Sequence, residues 1–178
     1  MIDEVKRIIE TTYIQKNFEP FISRCHEKLE FIGELLNAAQ TKIGGAVVSE
    51  LPGDPGVAIY FDVCEFAKND FKVKYKSVLS ISKVADVYHI QHEFEADDPD
   101  PNGMTPVLDG FGGEPYCKAQ FALEETIRKF LAAKGFKQLT FTEMDEVIPG
   151  IEMPENVLFG SQMTVEYALF KDMWGLCE

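Results

Sequence analysis

The hydrophobic period of the chain switches twice, and this constrains the fold more than any other feature. From residue 18 to 39 apolar residues recur at three- and four-residue spacing (Phe18, Phe21, Ile22, Cys25, Leu29, Ile32, Leu35, Leu36, Ala39). That spacing predicts one amphipathic helix with Asn17 as its cap and Pro20 in its first turn. Beyond Gly44-Gly45 the period falls to two. Residues 46–51 form a short strand candidate, and after the turn at 52–56 come Val57, Ile59, Phe61 and Val63 on alternate positions. Past Asn69-Asp70, Phe71, Val73 and Tyr75 alternate with Lys72, Lys74 and Lys76, which places three lysines on one solvated face. Tyr88, Ile90, His92 and Phe94 continue the alternation, so an antiparallel meander is expected.

Helical spacing returns over residues 116–134, with Phe121, Ile127, Phe130 and Leu131 facing inward and Gly135 as the stop. Residues 2–11 predict a short helix and 137–141 a short strand. Thr142 is expected to cap a brief helix, and 164–174 reads as a helix with a strand as the alternative. The expected architecture over residues 1–178 is a single α+β domain: an antiparallel sheet of about four to five strands, with N-terminal, central and C-terminal helices packed against it.

The 178 residues suffice to bury about 70% of the surface exposed by the unfolded chain. Asp3 and Glu4 stand where a signal peptide needs positive charge, and no run of about 18 apolar residues occurs, so the expectation is a cytoplasmic protein with no membrane span. Cys25, Cys64, Cys117 and Cys177 are widely spaced, without a C-x-x-C pair. That argues against zinc or a redox dithiol and for free thiols, Cys25 and Cys64 reading as small buried hydrophobes.

The net charge of −13 is segmental. Residues 84–117 hold eight acids and no Lys or Arg, and residues 138–178 hold eight acids against Lys171 alone. Such segments repel phosphate backbones, so nucleic acid is not an expected partner, whereas a basic protein is. The acids expected to meet it are Asp97, Asp98 and Asp100, on a Pro- and Gly-rich loop over 96–115, with Glu143, Asp145 and Glu146.

Two loop patterns carry further chemistry. Asp98, Asp100, Asn102, Gly103 and Asp109 match positions one, three, five, six and twelve of a calcium loop; an exposed turn uses the same residue types. The run through Gly112, Gly113 and Cys117 offers backbone N–H groups to an anion, or a thiol at a helix start. His89 and His92, three apart on a strand, point to opposite faces and cannot share a metal, and His92 falls on the core side. No nucleophile elbow or H-E-x-x-H motif is present.

In composition the chain resembles bacterial immunity proteins and other inhibitors of basic toxins, which implies no particular site residues. The expected function is a non-catalytic acidic binding protein for a basic protein partner. The alternatives are a small cytosolic enzyme with its site under the 96–115 loop, built from carboxylates and Cys117, or a calcium-binding loop domain.

Overall fold

A computed structural model describes residues 1–43, 48–51, 55–69, 71–97, 100, 102–103, 107–109, 113–154 and 162–177. Strands β1 (Val48–Leu51), β2 (Gly56–Lys68), β3 (Phe71–Ser82) and β4 (Val87–Ala96) form the expected antiparallel meander. Two short strands share the far edge of β4: β5 (Val107–Asp109), antiparallel, and β6 (Lys137–Gln138), parallel. The sheet is therefore six-stranded and mixed rather than wholly antiparallel. The physical reason is α4 (Lys118–Ala133), which carries the chain back along the sheet and supplies the crossover that parallel neighbours require. A second, two-stranded sheet pairs β7 (Val147–Glu152) with β8 (Gln162–Thr164).

The alternation works as expected on one face. Ile59 stands opposite Leu79, which stands opposite Ile90, and Val57, Ile81 and Tyr88 form the next row. All six are buried beneath α4 and α3 (Ile32–Gln40), which contribute Leu123, Ile127, Leu131, Leu35 and Ala39. Each fully buried Leu or Ile contributes about 2 kcal/mol. Phe121, expected inward, is 56% exposed, because the buried stripe of α4 runs Gln120, Leu123, Ile127, Leu131 and leaves Phe121 off it. Register shifts once within β2: Asp62 opposes Lys76 but Cys64 opposes Tyr75, so Val63 is a bulge residue. The bulge turns Cys64 toward the face covered by α4, the side occupied by Phe61 and Tyr75.

A second apolar cluster gathers both ends of the chain. Val5 and Ile9 of α1 (Asp3–Ile9), Tyr13 of a π-helical turn (Glu10–Ile14) and Phe21 of α2 (Glu19–Cys25) pack with Leu139, Met144, Ile148 and Met163. Val165, Ala168 and Leu169 of α6 (Val165–Phe170) complete it. Thr140, not Thr142, caps the intervening α5 (Phe141–Met144) in a reciprocal box with Glu143. The alternatives at 164–174 are both partly realised: β8 ends at Thr164, which then caps α6. At Gly56 an added Cβ would lie 3.1 Å from the Phe170 carbonyl oxygen, so glycine lets α6 cross the end of β2.

The single helix expected over 18–39 is two. Asn17 does not cap α2, and residues 26–31 turn the chain between α2, whose Phe21 and Cys25 enter the second cluster, and α3, which packs on the sheet. Cys25 marks the break: its carbonyl accepts from Lys83 Nζ at 3.2 Å, and its sulfur is bonded to Cys177, 152 residues away. The expectation of free thiols thus fails for Cys25 and Cys177 and holds for Cys64 and Cys117. Among the described residues no helix is long and apolar enough to cross a membrane.

Candidate functional site

Chemistry-bearing side chains meet at several places, and burial decides which can act. Beneath α4, Ser77 Oγ lies 2.9 Å from His92 Nδ1, and His92 Nε2 lies 3.5 Å from Glu124 Oε2. Ser77 donating to Nδ1 would leave Nε2–H facing the carboxylate. His92, with Gln138 donating at 3.3 Å, holds the Glu124 carboxyl below the usual carboxylate range against the opposing effect of burial. The order serine, histidine, acid resembles a nucleophilic relay, but Ser77 and His92 are fully buried, so the hydroxyl is closed to solvent in this structure. The group joins β3, β4 and α4. His92 is on the core side as expected, and His89 points to the other face.

Beside it, Gln120 performs a related task. Its Nε2 donates to the carbonyls of Lys76 (2.7 Å) and Glu93 (3.0 Å), while its Oε1 accepts the Tyr116 N–H at 2.9 Å. One buried amide thereby ties two strands to the start of α4. A polar residue in an apolar stripe was the only sequence signal for it.

The acids singled out for a partner lie apart. Asp97 follows β4, and its N–H donates to Lys72 O at 2.9 Å; Asp98 lies outside the described residues. Asp145 lines a cavity with Gln91, six residues before Asp97 on β4, a rise of about 20 Å. Glu143 is engaged in the Thr140 box, and Glu146 pairs with the amino terminus at 3.2 Å. Two acids of the 84–117 segment are partly offset by the lysine face of β3: Glu95 pairs with Lys76, and Glu93 stands opposite Lys76 in register. A segmental charge in sequence is therefore not one patch in space.

In the calcium pattern, Asp100 Oδ1 accepts from Asn102 N at 2.9 Å, the bond of a local turn. Asp109 sits on β5 opposite Glu93. The flanks are thus strands rather than helices. Among the described residues no group of three or more His, Cys, Asp or Glu is placed to hold a metal ion. Gly113 adopts φ +71°, Gly112 lies outside the described residues, and Cys117 is the N-cap of α4. Glu114 precedes that cap by three positions.

The described residues also form surface concavities, one of them a cleft of about 440 Å³ between α1 and α2 lined by Glu4, Arg7, Thr11, Phe21 and Arg24 among others. A small cavity of about 170 Å³ is lined by Ser80, His89, Gln91, Met144, Asp145 and Glu166. His89 Nδ1 is 2.8 Å from the Leu139 carbonyl, which only accepts, so the neutral ring carries its proton on Nδ1. The space is below that of a typical small-molecule site. A broader groove of about 560 Å³ runs along β7, lined by Tyr13, Lys16, Val147, Pro149, Gly150, Glu152 and Trp174 among others. Val147 is 41% exposed and Trp174 36%, and the Trp174 ring stands edge-on to Tyr13 at 5.9 Å. Burial raises the Tyr13 hydroxyl far above its ordinary range, with Asp172 acting in the same direction, and it donates to Ala168 O at 2.9 Å. Asp145 and Glu146, immediately before Val147, and Glu152 are exposed acids of this segment. Neither the groove nor the role of Trp174 was read from sequence, because Tyr13 and Trp174 are brought together only by the packing of the two chain ends. No protein family, no curated protein and no solved structure is matched by this chain.

Proposed function

We propose that the protein is a non-catalytic binding protein that receives a basic protein partner along the β7 groove. The carrying observation is the lining of that groove, exposed Val147 and Trp174 with Glu152 beside them, while the exposed acids Asp145 and Glu146 immediately precede Val147 in the chain. An apolar centre with a charged rim is the anatomy of a recognition surface, and tryptophan is the residue most often dominant at its centre. The acids would speed encounter with a basic partner and select it against acidic ones. Lys16, on the same groove, would meet an acid or carbonyl of the partner.

The test uses three baits against host lysate at low and high salt: wild type, Trp174→Ala, and the triple variant Asp145→Asn, Glu146→Gln, Glu152→Gln. A basic protein retained by wild type should be lost from the Trp174→Ala bait, a hot-spot loss of about 2 kcal/mol or roughly thirtyfold in affinity. The triple variant should bind about tenfold more weakly at low salt and differ little at high salt. Identical retention on all three baits would refute the reading.

For location, the Cys25–Cys177 disulfide supports an oxidising compartment rather than the cytoplasm expected from the sequence. Alkylation in denaturant at the moment of lysis separates them, because a reduced chain, once unfolded, takes up label on Cys25 and Cys177, which are buried in the fold.

A further inference from the structure

We propose that Cys64 and Cys117 form a dithiol modification site that closes to a second, reversible disulfide by exchange with a small-molecule disulfide such as oxidised glutathione. The chemistry requires no protein partner. The two sulfurs lie 3.8 Å apart, in contact, although 53 residues separate them in the chain. A disulfide needs about 2.05 Å, so closure is a movement of less than about 2 Å.

Independent features of the fold bring the sulfurs together. The bulge at Val63 turns Cys64 onto the α4 face; without the extra residue the strand's alternation would send it to the opposite side. Cys117 occupies the N-cap of the 16-residue α4, a position usually given to Ser, Thr, Asp or Asn, and its side chain makes no capping bond. The flanking backbone is held: Tyr75, opposite Cys64, packs on Phe94 at 6.2 Å, and Phe94 packs on Tyr116, next to Cys117, at 4.8 Å. The Tyr116 N–H also donates to Gln120 Oε1 at 2.9 Å, which fixes the backbone next to Cys117. The pair is also accessible, with Cys64 exposed and Cys117 half-buried.

The order of steps follows from the thiols. Partial burial and the adjoining Cys117 push Cys64 up to about 11, so Cys64 is a poor initiator at neutral pH. The Cys117 thiolate attacks one sulfur of the small disulfide, forming a mixed disulfide and expelling one thiolate. That thiolate takes up the proton of Cys64. The Cys64 sulfur then attacks Cys117 Sγ and expels the second thiolate, which is protonated by solvent. Two protein thiols are oxidised and one small disulfide is reduced to two thiols.

The experiment exposes the folded, full-length chain, with thiols first reduced, to oxidised glutathione at neutral pH, followed by mass spectrometry and non-reducing peptide mapping. Wild type should lose two hydrogen atoms at this pair, give a Cys64–Cys117 linked peptide, and revert with reductant. Cys64→Ser should trap one glutathionyl group on Cys117. Cys117→Ser should carry glutathione only at Cys64 and give no linked peptide. Stable glutathione adducts on wild-type Cys64 or Cys117 without the linked peptide would overturn the proposal, as would failure of both residues to react. The wild-type peptide map decides the matter even where a variant does not fold.

Discussion

Breaking the Cys25–Cys177 disulfide is expected to lower the unfolding free energy by about 4–5 kcal/mol, the largest effect available from a single covalent change in this chain. The bond joins residues 152 positions apart, so it removes from the unfolded ensemble the freedom of nearly the whole chain. Both residues are buried in the cluster that holds α1, α2 and α6 together, and the reduced thiols would remain there as apolar groups. The loss should therefore come mainly through the unfolded state, with the native contacts kept. For a domain of this size, melting should fall by roughly 10–15 °C. Thermal melts of wild type with and without reductant, beside the Cys25→Ser, Cys177→Ser double variant, measure it. The reduced wild type and the double variant should coincide; melting unchanged by either treatment would show that the crosslink does not form in solution.

Replacing Gln120 should cost about 3 kcal/mol, as much as removing a buried leucine. Its amide, on a fully buried side chain, makes three part-buried hydrogen bonds, and none of the groups it satisfies has an alternative supplied by a shorter side chain. Gln120→Ala leaves the carbonyls of Lys76 and Glu93 and the N–H of Tyr116 without that partner, and opens a cavity besides. Gln120→Met separates the two causes, because it keeps the volume and removes only the hydrogen bonds. Chemical denaturation should show Met nearly as destabilised as Ala. A Met variant within about 0.5 kcal/mol of wild type would show that water or a backbone shift replaces the amide.

Gln120 also shows where sequence reading stops. Rows such as Ile59, Leu79 and Ile90 announce themselves by alternation, because a sheet with one covered face must place apolar residues at every second position. The stripe Leu123, Ile127, Leu131 is as plain, yet its first member is a glutamine, and hydrophobic periodicity assigns such a residue to the surface; the same assignment drew Phe121 inward. The break between α2 and α3 was hidden for a related reason. Cys25, Leu29 and Ile32 keep helical spacing across it, but the residues on either side enter different clusters, and periodicity does not say which core a face meets. The pairings Cys25–Cys177 and Cys64···Cys117 depend on topology and on the Val63 bulge. The β7 groove depends on two distant segments meeting. The site was thus less legible than the sheet, since its parts are neighbours in space only.

The cluster built from both ends of the chain has a consequence for synthesis. Elements α3 through α4, which enclose the sheet core, are complete by residue 133 and can pack as soon as they emerge. Val5, Ile9, Tyr13 and Phe21 emerge earlier still, but their packing partners Met163, Val165, Ala168 and Leu169 lie some 150 residues behind them. At ordinary rates of elongation that interval is roughly 10–30 s. For that time α1 and α2 lack the part of their cluster that β8 and α6 supply, and these early-emerging helices are among the last of the described elements to be fully packed.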